Sequence, residues 1–182
     1  MSVDRVIELA GPPVVASKFG FSIPSAIRLM RAGLAGPVYT DGQREMVSRK
    51  LVDELARLHP LTDLADLPPA FILRVGPRHA DTSKDDRPWF GWDQMDREGS
   101  VRFGISRRWP VRDAEKLRGR LLVVTVSGVP AHVARIADVT PIGDEWGFEL
   151  ADPRLDDTDA KAWQNVRVPT TGGGKTFRHG LD

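Results

Sequence analysis

Leu121-Leu122-Val123-Val124-Thr125-Val126-Ser127, then Gly128-Val129-Pro130, then Ala131-His132-Val133-Ala134-Arg135-Ile136-Ala137-Asp138-Val139 is the stretch on which the fold turns. The first run is apolar almost without interruption and rich in β-branched residues, the pattern of a strand buried on both faces. The last run reads as a second strand, and only three residues separate the two, which makes an antiparallel hairpin the natural connection. Outward from this pair, Trp146 to Leu150 reads as a further strand on the C-terminal side. Phe71-Ile72-Leu73-Arg74-Val75 and Val101 to Ser106 read as strands on the N-terminal side. Strands so closely spaced point to a twisted sheet or a small barrel rather than to alternating parallel units.

Upstream of Leu61-Pro69, a turn-rich linker, the periodicity changes. Residues 1–66 read as a helical N-terminal region with eight basic and eight acidic residues, and residues 67–182 as the β-domain with a C-terminal tail. Val14 to Phe19 reads as a short helix closed by Gly20, and Ile23 to Leu34 as a second that starts near Pro24, where a missing N–H is harmless. Val47, Leu51, Leu55 and Leu58 recur at helical steps, with Met46 and Val52 widening the stripe. They predict a third, amphipathic helix capped by Asp41 and ending before Pro60. The fold class expected is therefore α+β: a helical layer on a small β-barrel.

Composition bounds the chemistry. The 182 residues carry 26 Lys+Arg against 25 Asp+Glu, a net charge of +1, so bulk charge does not draw the chain to nucleic acid or to a membrane. Hydrophobic residues make up 41% and mean hydropathy is -0.29, ordinary values for a chain with a packed core. The absence of cysteine excludes disulfide scaffolds, thiolate nucleophiles and Cys-type zinc sites. His59, His79, His132 and His179 offer no pair at i, i+4, so no metal is expected, nor any cofactor. The start of the chain shows neither a signal peptide nor a spanning run, which predicts a cytoplasmic protein without a membrane partner. Beneath the near-zero total, residues 101–136 carry a net +6 and residues 137–160 a net -7, which predicts a dipolar surface able to attract phosphate locally.

Motifs for catalysis are thin. Gly172-Gly173-Gly174-Lys175-Thr176 ends like a phosphate-binding loop, but Pro169 stands where the spacing asks for glycine, and no strand–helix frame surrounds it. The acidic run from Asp152 to Asp159 reads as a solvated loop, and no histidine sits in a nucleophile–base arrangement. Binding is thus expected rather than catalysis, with an enzyme that uses a β-domain pocket as the alternative. Ala16 to Gly20 followed by Ser25 to Leu34 echoes a helix-turn-helix, with Arg28 and Arg31 projecting from the second helix. A DNA-binding regulator with a ligand-sensing β-domain is the other alternative, and a plain helical brace accounts for the same spacing.

The aromatic residues are the unusual feature: five Trp and seven Phe against one Tyr, with Trp89, Phe90, Trp92, Phe103 and Trp109 inside 21 residues. An indole in a loop suits stacking on a nucleobase, worth about 1–3 kcal/mol per ring, although Trp89 and Trp92 serve equally well as structural caps. Phe103 and Trp109 bracket Arg107 and Arg108, with Arg112 just beyond, and guanidinium groups can hold phosphate or lie flat on a base. The competing reading is a basic edge paired with the acidic stretch downstream.

Phe71 to Val75, Gly99-Ser100-Val101-Arg102-Phe103-Gly104-Ile105, Leu117-Arg118-Gly119-Arg120 leading into Leu121 to Gly128, and Ala131 to Val139 together resemble the PUA-like superfamily, in particular its EVE and YTH branches. The resemblance covers roughly residues 70–150. It departs at Arg120, where an acidic residue is common, and at Phe103, where YTH domains tend to have tryptophan. It implies a β-barrel that reads a modified base in an aromatic cage, as in the reader modules of modification-dependent restriction systems, with 5-methylcytosine in DNA the first candidate. On that reading Phe103 and Trp109 are cage walls, Trp89 or Trp92 a lid or third wall, and Arg107, Arg108 and Arg112 the phosphate contacts. The expected partner is nucleic acid, DNA favoured over RNA, with a separate nuclease or other effector acting on what is read.

Overall fold

The computed structural model describes residues 7–60, 63–82, 87–95, 101–170 and 176–181, and only the backbone of residues 101–103. The N-terminal layer runs β1 (Leu9–Ala10), α1 (Pro12–Phe19), α2 (Ile23–Arg31), β2 (Tyr39–Asp41), β3 (Arg44–Ser48) and α3 (Arg49–Ala56). Gly20 closes α1 in the left-handed conformation, as its position suggests, and the Ser22 side chain accepts the Ser25 N–H to start α2. The expected third helix is half strand. Asp41 pairs with Arg44 across a turn in which Gly42 takes φ +59°, so Met46 and Val47 lie in β3 and only the later residues are helical. Asp-Gly is a hairpin signal, and here it overrides the helical spacing. β1, β3 and β2 form a three-stranded antiparallel sheet, and Val15, Phe19, Leu29, Met30, Val47 and Val52 pack with it into one core.

The remainder runs β4 (His59–Pro60), β5 (Ala70–Val75), β6 (His79–Ala80), β7 (Trp89–Phe90), α4 (Val101–Ser106), a 3-10 turn at Ala114–Leu117, β8 (Leu121–Val126), β9 (Val129–Ile142), β10 (Glu145–Ala151), α5 (Thr158–Gln164), β11 (Val166–Arg167) and β12 (Thr176–His179). Five strands form the main sheet in the order β10-β9-β8-β5-β12. All neighbours are antiparallel except β5 and β8, which run parallel in register from Ala70 opposite Leu121 to Val75 opposite Val126. The fold is α+β, and among the described residues the sheet does not close into a barrel.

β8 is central and buried at every residue, as its composition predicts. The β8–β9 turn is tighter than expected: Ser127 and Gly128 both take positive φ, the mirror-image two-residue turn that matches strand twist. Alternation divides the sheet into two faces. Phe71, Leu73 and Val75 with Leu122, Val124 and Val126 meet Trp92, Ile105, Trp109 and Phe148 on one side, and Ala70 and Ile72 with Leu121 and Val123 meet Trp163 of α5 on the other.

One further reading is corrected. Val101–Ser106 is a helix, not a strand: Ile105 and Trp109, four apart, both point into the first face's core, and the Trp109 indole N–H donates to the Ile105 carbonyl at 2.7 Å. The acidic run is an irregular, mostly exposed segment over residues 152–157, as expected, and leads into α5, where the Asp157 carboxylate caps the helix by accepting the Ala160 N–H at 3.1 Å. The tail docks through β12 on β5, while residues 171–175, with the glycine run at 172–174, lie outside the described residues.

Candidate ligand cleft

β6 and β7 fold back on each other as a short arm, with His79 opposite Phe90 and Ala80 opposite Trp89. Arg87 fixes this arm to the body. It is buried, its Nε and Nη2 donate to Asp81 Oδ2 at 2.9 and 2.7 Å, and its Nη1 donates to the Arg107 carbonyl at 2.8 Å. A charge so enclosed persists only with its hydrogen bonds satisfied, and Asp81 supplies the compensating charge. Glycine permits the arm's close approach to α4: a Cβ on Gly104 would lie 2.7 Å from the Gly91 carbonyl oxygen.

On the opposite side, Trp109 and Trp146 exchange backbone hydrogen bonds, each 2.9 Å, which staples the segment after α4 to β10. Arg108 takes φ +60° and its guanidinium reaches Glu145 at 3.5 Å. Phe90 and Trp109 then meet with centroids 5.3 Å apart and planes tilted by 53°. Between arm and sheet lies a cleft of about 510 Å³. Phe90, Trp109 and Pro110 make its apolar lining, and His79, the Asp81–Arg87 pair, the Arg108–Glu145 pair and Thr176 of β12 make its polar lining. Its size suits a small organic ligand, and it offers donors and acceptors around a ring-shaped floor.

Of the residues singled out from sequence, the structure brings Trp109 and Arg108 to this cleft. Trp109 is only 2% exposed, so it serves as floor rather than as a free cage wall. Trp92 belongs to the core: its ring stacks on His132 at 5.4 Å and its N–H donates to Gln94, so it is not a lid. Trp89 lies outside the cleft lining, on the arm, beneath the Arg78 guanidinium at 4.1 Å. The Phe103 side chain lies outside what is described. The three arginines do not form one phosphate clamp. Arg108 pairs with Glu145, Arg107 lines a separate hollow beside Phe148 and Glu149, and Arg112 is exposed with its carbonyl accepting from Arg178.

His79, Asp81, Arg87, Phe90, Glu145 and Thr176 were not among the residues that sequence marked as a site. Only Phe90 carried a signal, among the clustered aromatic residues; His79, Asp81 and Arg87 come with it on the local β6–β7 arm, and Glu145 and Thr176 arrive through strand pairing across long separations. Among the described residues no three His, Asp or Glu side chains gather as a metal ion would require, and no helix is long and apolar enough to cross a membrane. Compared with known proteins, the chain matches no family model, no curated protein and no solved structure, so what the cleft takes must be argued from its own geometry.

Proposed function

We propose that the cleft receives a single unpaired nucleobase, and that the protein is a nucleic-acid reader of PUA-like type with 5-methylcytosine in DNA as the first ligand to try. The observation that carries this reading is the half-buried Phe90 ring, backed by the buried Trp109, at the floor of a 510 Å³ cleft whose rim holds both carboxylates and guanidiniums. A nucleobase is a flat polarisable ring with alternating donors and acceptors on its edge. Arg108 can face its carbonyl and imine positions and Glu145 its exocyclic amine, while the Asp81–Arg87 pair holds the arm in place. The same pairs argue against a phosphate in this cleft, because each guanidinium already has an anionic neighbour. A base carrying one extra methyl against the aromatic floor gains about 0.8 kcal/mol, roughly fourfold in affinity.

The helix-turn-helix alternative loses its reading surface in part: Arg31 is held by Glu45, with its Nε 3.0 Å from both carboxylate oxygens.

Fluorescence anisotropy with methylated and unmethylated oligonucleotides, single-stranded and duplex, tests the proposal at two salt concentrations. Methylated strands are expected to bind about fourfold tighter at both salts. Phe90→Ala, at a half-buried position, is expected to abolish the difference while circular dichroism shows the fold intact. Equal affinities for all four ligands, unchanged in Phe90→Ala, would overturn base reading.

A further inference from the structure

On the sheet face opposite the cleft floor, the apolar alternation of the two parallel strands stops short. Ala70 and Ile72 of β5 and Leu121 and Val123 of β8 are buried under α5, but the next residues on that face are Arg74 and Thr125. Beyond them, at the C-terminal ends of the parallel pair, a hollow of about 360 Å³ opens between the sheet and α2, with Ser25, Arg28, Ser127 and Thr170 completing its polar lining. Carboxyl ends of parallel strands are where open sheets commonly leave room for ligands.

The hollow's chemistry is one-sided. Among the described residues two guanidiniums line it and no carboxylate does. Burial of Arg74 pushes its pKa down, the direction in which a nearby anion would be favourable. Its Nη2 donates to the Pro169 carbonyl at 3.0 Å and its guanidinium lies 4.6 Å over the Phe177 ring, so the charge is fixed in place. Arg28 is exposed and makes no ion pair among the described residues, unlike Arg31 one turn later. The hydroxyls divide into two kinds. Thr125 donates to the Leu73 carbonyl and Ser127 to the Ser25 carbonyl, and these two hold the walls. The Ser25 hydroxyl accepts from Ser22 and keeps its own proton to give.

We infer that this hollow binds a phosphate group, with Arg28 and Arg74 supplying charge and the Ser25 and Thr170 hydroxyls supplying further donors. The inference stands apart from the base-reading proposal, since it uses none of the cleft residues. The phosphate can come from a free phosphate or from a nucleic-acid backbone, and the chemistry of recognition is shared.

Isothermal titration of the full chain with inorganic phosphate, against chloride at matched ionic strength, tests the site directly. Saturable phosphate binding is expected in the wild type, weakened at least tenfold in Arg28→Gln and measurably in Thr170→Val, and unchanged in Arg154→Gln, an exposed arginine outside the hollow. Phosphate affinity in Arg28→Gln equal to wild type, or no response beyond the chloride control, would overturn it. A second arm distinguishes the sources. Competition of phosphate by a short oligonucleotide, lost in Arg28→Gln and kept in Phe90→Ala, assigns the phosphate to a nucleic-acid backbone; phosphate binding without competition assigns it to the free anion. Failure of Phe90→Ala to affect oligonucleotide selectivity bears on the cleft alone.

Discussion

A buried guanidinium cannot idle: each of its N–H groups needs an acceptor, or the fold gives up the free energy of desolvating it. Arg87 meets this demand by bridging Asp81 and the carbonyl of Arg107, and so it holds the aromatic arm at a fixed distance from Trp109. The approach of arm to helix depends in turn on two residues without side chains. Gly104 faces the backbone of Gly91, which itself takes φ +102°. Gly104→Ala is therefore expected to destabilise the chain by about 1–3 kcal/mol through overpacking against backbone, and to lower affinity for any cleft ligand by displacing Phe90. Urea denaturation followed by tryptophan fluorescence checks the first effect, and a midpoint equal to wild type would refute it.

At the scale of elements, α5 shows how a single carboxylate organises a short helix. Asp157 accepts the Ala160 N–H and receives Arg135 at 2.7 Å; the backbone bond, with the guanidinium adding to it, holds its pKa below the usual carboxylate range. A depressed folded pKa means stability that is fully present above the unfolded value of about 3.9 and is lost as pH falls through the lower folded value. Asp157→Ala is thus expected to cost about 1 kcal/mol near neutral pH, as the loss of an N-cap does, and less as pH drops below the carboxylate range. Thermal melts across pH 2 to 7 measure this, and a constant difference would refute it. Elements also mark where sequence was legible. β8 and its hairpin partner announce themselves, because a six-residue apolar run next to a short polar turn has few other solutions. Val101–Ser106 was misread because Val, Phe and Ile favour strands locally, and the decisive spacing from Ile105 to Trp109 crosses the apparent end of that element. The cleft was legible only in Trp109 and Arg108. Glu145 and Thr176 come to it through pairings that no local pattern encodes.

Across the whole molecule, the two regions that composition separates are joined. Val129 of the sheet hairpin sits in the N-terminal core, Ala32 packs into the sheet core, Ser127 donates to Ser25, and Arg167 donates to the Phe19 carbonyl at 3.0 Å. The opposed charge blocks likewise meet each other: Arg118 lies 2.7 Å from Asp138, and Arg135 reaches Asp157. Part of the expected dipole is therefore folded onto itself. All five tryptophans lie beyond residue 88, whereas far-UV circular dichroism also reports α1, α2 and α3. Coincident midpoints by the two probes are expected in urea, the mark of one cooperative unit. An earlier transition in the circular dichroism signal would show that the N-terminal layer unfolds by itself.

The parallel union of β5 with β8 spans everything from residue 76 to residue 120, and the other flank of β5 is covered by a strand near the far end of the chain. During synthesis, Ala70–Val75 emerges with neither neighbour yet made. Non-local pairing of this kind is slow, and an apolar ribbon waiting for both its edges is open to association with other chains. A largely apolar strand of the central sheet is thus left without either neighbour until residues far downstream have been made.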